Sequence, residues 1–403
     1  MSGYRAALYH ALLASYRHEA YITDALSAWK YKSHPSDRDF RLAYEIAMGT
    51  MRMTWTLDEI ARRLSKSGKL SLKLKEKVLV RMAIYQALFM KSLPIYAIAD
   101  QMVQLAKSIC HARFIPFFNA LLHALDGYEW TPPTGSSTSD LSIAHSFPEG
   151  FIEQLAADYP GEVRSILQSL NQVHPPMMRV RKGEVKHRSV YADCVQLEPG
   201  EDLGKWGNDP RVYIQNATPI YLVDELTKNL SKAPQAMLDL CAAPGGKALA
   251  LHDRFPQAEL WANEMSNRRM AMLKANLEKY AVHANFTEMD GLKFTTSRHF
   301  DLIVVDVPCS NTGVLGKKPE ARLRLDSEHQ EQLKKLQLGL LKHAAHFLKK
   351  DGQLWYMTCS ILKDENERLI EASGLRIVGE PITVFPNAEG WDGGFGATLA
   401  LDK

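Results

Sequence analysis

At 403 residues, 46% of them hydrophobic and 24% charged, the chain is large enough for two or three domains with cores of their own. Its 49 Lys and Arg against 46 Asp and Glu leave a net charge of +3, which excludes a basic field over the whole molecule and confines any nucleic-acid surface to a local patch. Five cysteines with no C-x-x-C pair and no His at zinc spacing exclude a disulfide framework or a zinc site, and no apolar run reaches the ~18 residues of a membrane span.

The opening "MSGYRAALYHALL" has no basic segment leading into a long apolar run, so no signal peptide is read and a reducing, cytoplasmic setting is expected. Residues 1–130 read as helices throughout. Phe40, Ala43, Tyr44, Ala47 and Met51 recur at three-and-four spacing, as do Leu72, Val78, Leu79, Met82 and Tyr85, while Pro94 and Pro116 sit near helix starts. Residues 131–146, "TPPTGSSTSDLSIAHS", are dominated by Pro, Gly, Ser and Thr and read as a linker. Residues 147–229 are a small mixed α/β region: two short helices in "PEGFIEQLAADYPGEVRSILQSLN", then short strands in "PPMMRVR" and "HRSVYADCVQL". This region carries the basic cluster Arg179, Arg181, Lys182, Lys186, His187 and Arg188.

From residue 230 to 403 strands and helices alternate. "AMLDL", "ELWAN", "NFTEM", "FDLIVVD" and "GQLWYMT" read as strands, with helices between most of them. Such alternation implies a doubly wound, mostly parallel sheet, an α/β architecture that binds ligands at the carboxyl ends of its strands. Every residue singled out below for chemistry lies at such an end.

"LDLCAAPGGKALAL" is a strand, a Gly-rich turn and a helix. Gly245 and Gly246 permit close backbone approach to a ligand, and the helix directs N–H groups at it. The loop matches neither G-x-x-x-x-G-K-[ST] nor G-x-G-x-x-G, which disfavours nucleoside triphosphates and nicotinamide dinucleotides. Glu264 ends the second strand, where a carboxylate accepts ribose hydroxyls, and Asp290 ends the third, within reach of an adenine amino group. The combination suits S-adenosylmethionine; a tight turn flanked by two solvated acids is the plainer alternative.

Cys309 and Cys359 each close a strand, and those strands are neighbours in a doubly wound sheet. Beside a methyl donor such thiols have a chemical use. Addition of a thiolate to carbon-6 of a pyrimidine makes carbon-5 nucleophilic, which is covalent catalysis. Asp306 is placed to supply a proton or hydrogen bond at ring nitrogen-3, and a second thiol can help the first one leave. Inert burial of both cysteines is the alternative, and it is the expectation for Cys110 and Cys194.

Together, "LDLCAAPGGK", "DVPCSNTGV" and "TCSILKDENE" resemble the motifs of RNA cytosine-5 methyltransferases of the Sun (Fmu) type. "KKPEARLR", "IQNATP" and "FPNAEGWDGGFGATLAL" extend the similarity, and "SDRDFRLAYEIAMGTMR" places a NusB-like RNA-binding domain over residues 1–130. The resemblance implies an all-α NusB-like domain, a small α+β connecting region and a Rossmann-like methyltransferase domain acting on carbon-5 of a cytosine in small-subunit ribosomal RNA. By the same resemblance Cys241, Ala242, Ala243, Pro244, Gly245, Gly246 and Lys247 cradle S-adenosylmethionine, with Glu264, Asp290 and Asp306. Cys359 matches the family's nucleophile, and Cys309 the cysteine that aids product release. Three departures stand out: Val307 replaces a common Ala, Glu264 a common Asp, and "PPMMRVR" lacks a common Trp.

Phosphate contacts are expected from Arg179, Arg181, Lys182, Lys186, Arg188, Lys317, Lys318 and Arg322, with Arg324 nearby. The expected partner is ribosomal RNA, met by a monomer without metal or membrane. Transfer RNA as substrate, or a non-catalytic RNA-binding assembly factor, are the competing readings. The latter predicts loss of a reacting residue, yet Lys247, Asp306, Cys309 and Cys359 are all present.

Overall fold

The computed structural model describes residues 4–90 and 94–402, and the chain divides into two compact units. One comprises Met1–Asn171 and Lys318–Leu325, the other Gln172–Lys317 and Asp326–Lys403.

The first unit is helical. Seven helices (Tyr4–Tyr16, Ile22–Ser33, Asp37–Arg52, Thr54–Leu64, Leu74–Phe89, Ile95–Ile109 and Phe114–Leu125) enclose a core that includes Leu8, Leu12, Ala43, Ala47, Met51, Leu79, Met82 and Phe118. The helix Asp37–Arg52 starts where the Ser36 hydroxyl accepts the Asp39 N–H at 3.1 Å, with Asp37 and Asp39 favourably placed in its first turn. Gly49 on that helix admits Tyr85: a Cβ there would stand 1.9 Å from the Tyr85 ring. Each fully buried Leu, Ile or Phe contributes ~1.5–3 kcal/mol, so the core outweighs the local signals. Tyr44, one of the periodic positions, instead faces outward, 39% exposed.

The stretch expected to be a linker is half helix. Thr138–His145 is helical, started by the Ser137 hydroxyl accepting from Asp140 N–H at 3.1 Å. Ser, Thr and Asp read as loop by composition, but the same side chains favour helix starts, and here they make one. Two more helices, Glu149–Asp158 and Val163–Asn171, complete the set.

Into this unit the short 3-10 segment Pro319–Arg324 inserts Arg322. Its side chain is fully buried over the Phe147 ring, 3.8 Å from the centroid. The guanidinium donates to the carbonyls of Arg52 (2.8 Å) and Ser146 (2.9 Å), and to Asn171 Oδ1 (2.7 Å). Those acceptors end three helices, whose carboxyl termini carry partial negative charge, so the cation is seated on helix ends. Burial drives its pKa down, with Arg52 adding to the effect. Arg322 was expected to contact phosphate; it is 1% exposed and serves as an internal clamp.

The second unit holds two sheets. A four-stranded antiparallel sheet comprises β1 (Met177–Val180), β2 (Arg188–Tyr191), β3 (Cys194–Gln196) and β4 (Val212–Ile214), in the order β2-β3-β1-β4. The larger sheet comprises β5 (Ala236–Asp239), β6 (Glu259–Asn263), β7 (Asn285–Thr287), β8 (Phe300–Asp306), β9 (Leu348–Thr358), β10 (Arg376–Val384) and β11 (Gly394–Ala400). Its order is β10-β11-β9-β8-β5-β6-β7; the five strands from β9 to β7 are parallel and the last two antiparallel. The antiparallel pair was not anticipated. β5 and β8 are adjacent, and there the strand order reverses, so their carboxyl ends form the switch point at which doubly wound sheets bind ligands. The apolar run Leu302–Val305 is buried on both faces, as a central parallel strand requires.

Candidate active site

Three turns converge on the carboxyl edge of the parallel strands. The first follows β5. Gly245 adopts φ +109°, a conformation that favours glycine, and begins the helix Gly246–Arg254. At Gly246 a Cβ would stand 2.8 Å from Gln215 Nε2 and 3.2 Å from the Tyr213 ring, so a larger residue would push the Gln215 side chain aside. Lys247 opens the helix and donates to Asp306 Oδ2, at the end of β8, over 2.7 Å. Burial alone lowers the Lys247 pKa, but the Asp306 carboxylate outweighs it and holds the ammonium charged.

Asp239, which ends β5, was not singled out in the sequence. It is 1% exposed, and neither carboxylate oxygen has a well-formed hydrogen bond among the described residues, although the Cys241 N–H lies close enough to oppose the upward shift of its pKa. Burial, reinforced by the charge of Asp306, pushes its pKa up to about 7. Burial also raises the Cys241 thiol well above the ordinary range, which leaves it a packing residue of the loop rather than a reactive one.

Glu264, after β6, is 3% exposed; it accepts the Ser266 N–H at 3.0 Å and pairs with Arg269 at 3.3 Å. Arg269 also donates to the Ala243 carbonyl at 2.7 Å, tying the acid to the Gly loop. Asp290 accepts the Leu292 N–H at 3.0 Å and starts a 3-10 turn beyond β7. The positions expected to hold S-adenosylmethionine therefore sit along one strand edge. The residues fit the group chemically as well: a cofactor bearing an ammonium and a sulfonium would suit the buried Asp239 carboxylate, which has no side-chain partner among the described residues, and a loop whose glycines would leave room for it.

The second and third turns carry the cysteines. β8 and β9 are parallel neighbours, Asp306 lying opposite Met357. That register brings Cys309 Sγ within 3.1 Å of Cys359 Sγ. Cys359 Sγ also lies 3.3 Å from Asn311 Oδ1, and Asn311 takes a left-handed φ of +60° to reach it. Cys309 is buried, and its pKa is raised well above the ordinary thiol value by its bond to Cys359, then by burial, then by the charges of Cys359 and Glu365. Gly313 is obligatory: a Cβ there would meet the Gly393 carbonyl oxygen at 2.4 Å, where the two backbones touch. Glu365, Gln337 and Asn366 support these turns from behind. They escaped the sequence reading because nothing in their spacing distinguishes a buried support from a solvated polar residue.

The basic residues divide. Arg179 and Arg181 converge on Asp253, at 2.8 and 2.5 Å, with side chains 4% and 3% exposed. Arg181 also covers the Tyr280 ring. Both are structural, which corrects their expected phosphate role. Lys182, Lys186 and Arg188 are exposed, as are Lys317 and Lys318, although Lys317 pairs with Asp392 at 2.8 Å. Among the described residues no cluster of three or more His, Cys, Asp or Glu side chains is placed to hold a metal ion, and no helix is long and apolar enough to cross a membrane.

Comparison with known proteins agrees with this geometry. Residues 229–399 match the family described as 16S rRNA methyltransferase RsmB/F, and residues 4–126 match the NusB family. The ribosomal RNA small subunit methyltransferase B of Salmonella arizonae is 29% identical over 406 residues, covering 90% of this chain and 91% of that protein. Its namesake in Yersinia enterocolitica is 28% identical over 370 residues, covering 83% and 82%. In fold, the crystal structure of PH0851 superposes with a TM-score of 0.79 at 22% identity over 98% of both chains. A methyltransferase homolog from Pyrococcus horikoshii superposes at 0.56 and 19% identity, covering 66% of this chain and all of that one. The chain is thus an S-adenosylmethionine-dependent methyltransferase, with residues 229–399 matching the 16S rRNA methyltransferase RsmB/F family and residues 4–126 the NusB family.

Proposed function

We propose that the protein methylates carbon-5 of a cytosine in small-subunit ribosomal RNA through a covalent Cys359–cytosine adduct. The observation that carries this reading is the pair of thiols 3.1 Å apart on adjacent strand ends, beside the Lys247–Asp306 ion pair and the cofactor loop. Two thiols in contact suit a reaction in which one sulfur bonds to the substrate and must later be expelled.

The bound cofactor supplies an electrophilic methyl group. The protein does the rest. Cys359 adds to carbon-6, forming a C–S bond, and the displaced electron pair makes carbon-5 nucleophilic. The Lys247–Asp306 pair supplies the hydrogen bond that ring nitrogen-3 needs as charge builds there. After methyl transfer the carbon-5 proton passes to water, the C–H electron pair restores the ring double bond, and the C–S pair leaves with the Cys359 sulfur, helped by Cys309. Cytosine must be splayed from its stack to reach the thiols, which suits a single-stranded target. Exposed Lys182, Lys186, Arg188, Lys317 and Lys318 are the candidates for holding the flanking phosphates.

The test is methyl transfer from labelled S-adenosylmethionine to protein-free small-subunit ribosomal RNA and, separately, to bulk transfer RNA, with 5-methylcytosine mapped in each. One modified cytosine in the ribosomal RNA is expected. Label confined to transfer RNA would overturn the substrate, and label on another atom would overturn the chemistry.

A further inference from the structure

The residue behind the Cys309 turn has no part in the scheme above. Glu365 is 1% exposed. Its carboxylate accepts the Ser310 N–H at 2.9 Å, the Ser310 hydroxyl, and the Gln337 amide at 2.8 Å. The same Gln337 amide donates to the Pro308 carbonyl at 2.9 Å. The residues on both sides of Cys309 are therefore fixed by one buried carboxylate and the amide bound to it. The Glu365 backbone carbonyl in turn accepts the Tyr356 hydroxyl from β9 at 2.7 Å, which ties the support to the strand that leads into Cys359.

We propose that Glu365 is the positioning residue that divides the labour between the two cysteines: it locks the Pro308–Cys309–Ser310 turn so that the Cys309 thiol donates its hydrogen to the Cys359 sulfur, and it adds a negative charge to the contact and burial that already favour that thiol. The proposal rests on the two-cysteine reading above and assigns Cys309 the part of acid. When the adduct breaks down, the carbon-5 proton passes to water, the C–H electron pair restores the ring double bond, and the C–S pair returns to Cys359, where the Cys309 hydrogen meets the developing thiolate.

The charges around the pair support the assignment. Cys309 faces Cys359 just past β9, Tyr356 on β9 and Glu365 from the turn beyond, none of them a cation; the Asn311 N–H works the other way. Cys359 feels the Lys247 ammonium, itself bonded to Asp306. The negative group thus stands behind one sulfur and the positive group beside the other. That is the arrangement expected if Cys309 holds its proton while Cys359 gives its proton up.

The test reads thiol chemistry without RNA or methyl transfer, so its failure is separable from failure of the proposed function. Iodoacetamide alkylation of Cys309 is followed against pH by mass spectrometry in the full-length Cys359→Ala chain, which removes the sulfur–sulfur coupling. S-adenosylhomocysteine binding by calorimetry serves as the check on folding. Adding Glu365→Gln removes the charge and keeps an acceptor; Cys309 should then react roughly tenfold faster at neutral pH, the effect of one unit of thiol pKa. Gln337→Met removes a donor from the carboxylate and leaves its charge less neutralised, so Cys309 should react more slowly. Opposite signs are the signature of the charge. An unchanged rate in Glu365→Gln with intact cofactor binding would overturn the proposal. So would acceleration in both variants, which would mark simple loosening of the turn. If Glu365→Gln does not fold, the sign of the Gln337→Met effect decides alone.

Discussion

Two stretches of one sheet edge treat their polar groups in opposite ways. Beyond β8 and β9, Ser310, Thr312, Ser360, Glu365 and the Gln337 amide nitrogen are joined in one buried chain of hydrogen bonds, although the Gln337 Oε1 has no partner among the described residues. At the end of β5, Asp239 is equally buried, yet neither carboxylate oxygen has a side-chain partner or a well-formed hydrogen bond among the described residues. The contrast separates what the protein builds in advance from what a ligand completes. A nucleophile needs its geometry before the substrate arrives, and a connected network supplies that. A cofactor seat keeps an open valence, and pushing the Asp239 pKa up to about 7 is the cost of leaving it open.

The sharpest way to break this contrast is at the prebuilt end. Cys359→Ala should lower methyl transfer by more than ~10³-fold while S-adenosylhomocysteine affinity, measured by calorimetry, changes less than about twofold. Residual turnover above that level would remove Cys359 as nucleophile. Cys309→Ala should leave the attack intact and impair release, so a protein–RNA adduct resistant to denaturing gels should accumulate; normal turnover without adduct would exclude Cys309 from the reaction.

At the open end the effect should be on binding. Asp239→Asn should weaken S-adenosylhomocysteine by ~1.5–3 kcal/mol, roughly tenfold to a hundredfold, if the lost contact is a charged hydrogen bond. In the parent protein, affinity should rise with pH through about 7 as Asp239 ionises, and in the variant it should stay flat. Stability runs the other way. The folded carboxyl keeps its proton up to about pH 7, whereas an unfolded aspartate loses it near ~3.9, so the folded state binds more protons across that window. Without cofactor, Asp239→Asn should therefore raise the Tm most at pH 8, and a scan against pH would show whether it does.

A related contrast, buried against open, runs through the basic residues. Arg322→Leu should destabilise the helical unit by ~3 kcal/mol in denaturant melts, because three helix ends lose their donor. Lys186→Ala should leave the melt unchanged, weaken RNA binding a few-fold and reduce the salt slope by ~1.

What could be read in advance follows the same physics. Buried parallel strands such as "LIVVD" announce themselves as continuous apolar runs, and strand-end acids and thiols mark the ligand edge wherever the fold is doubly wound. "GFGATLA" did not read as a strand, because its glycines pack against Thr218, Leu222 and Leu226 and remove the side chains that carry the signal. Arg179, Arg181 and Arg188 look alike in one cluster, yet only the fold shows that two of them face Asp253 and the third faces solvent. Glu365 and Asp239 were hidden for the same reason, since burial turns an ordinary carboxylate into a support or a seat and leaves no trace in spacing.

The clamp at Arg322 has a consequence for how the chain is made. The helical unit spans Met1–Asn171, yet the guanidinium that joins three of its helix ends is encoded far downstream, within Lys318–Leu325. During vectorial synthesis the first ten helices emerge with those carbonyls unanswered, and they must wait while strands β1 to β8 are translated. The amino-terminal unit is thus the first to be begun on the ribosome and cannot be finished until Leu325 has been added. A fragment ending at Asn171 should behave as a kinetically early, incompletely consolidated species that a synthetic peptide of residues 318–325 can tighten.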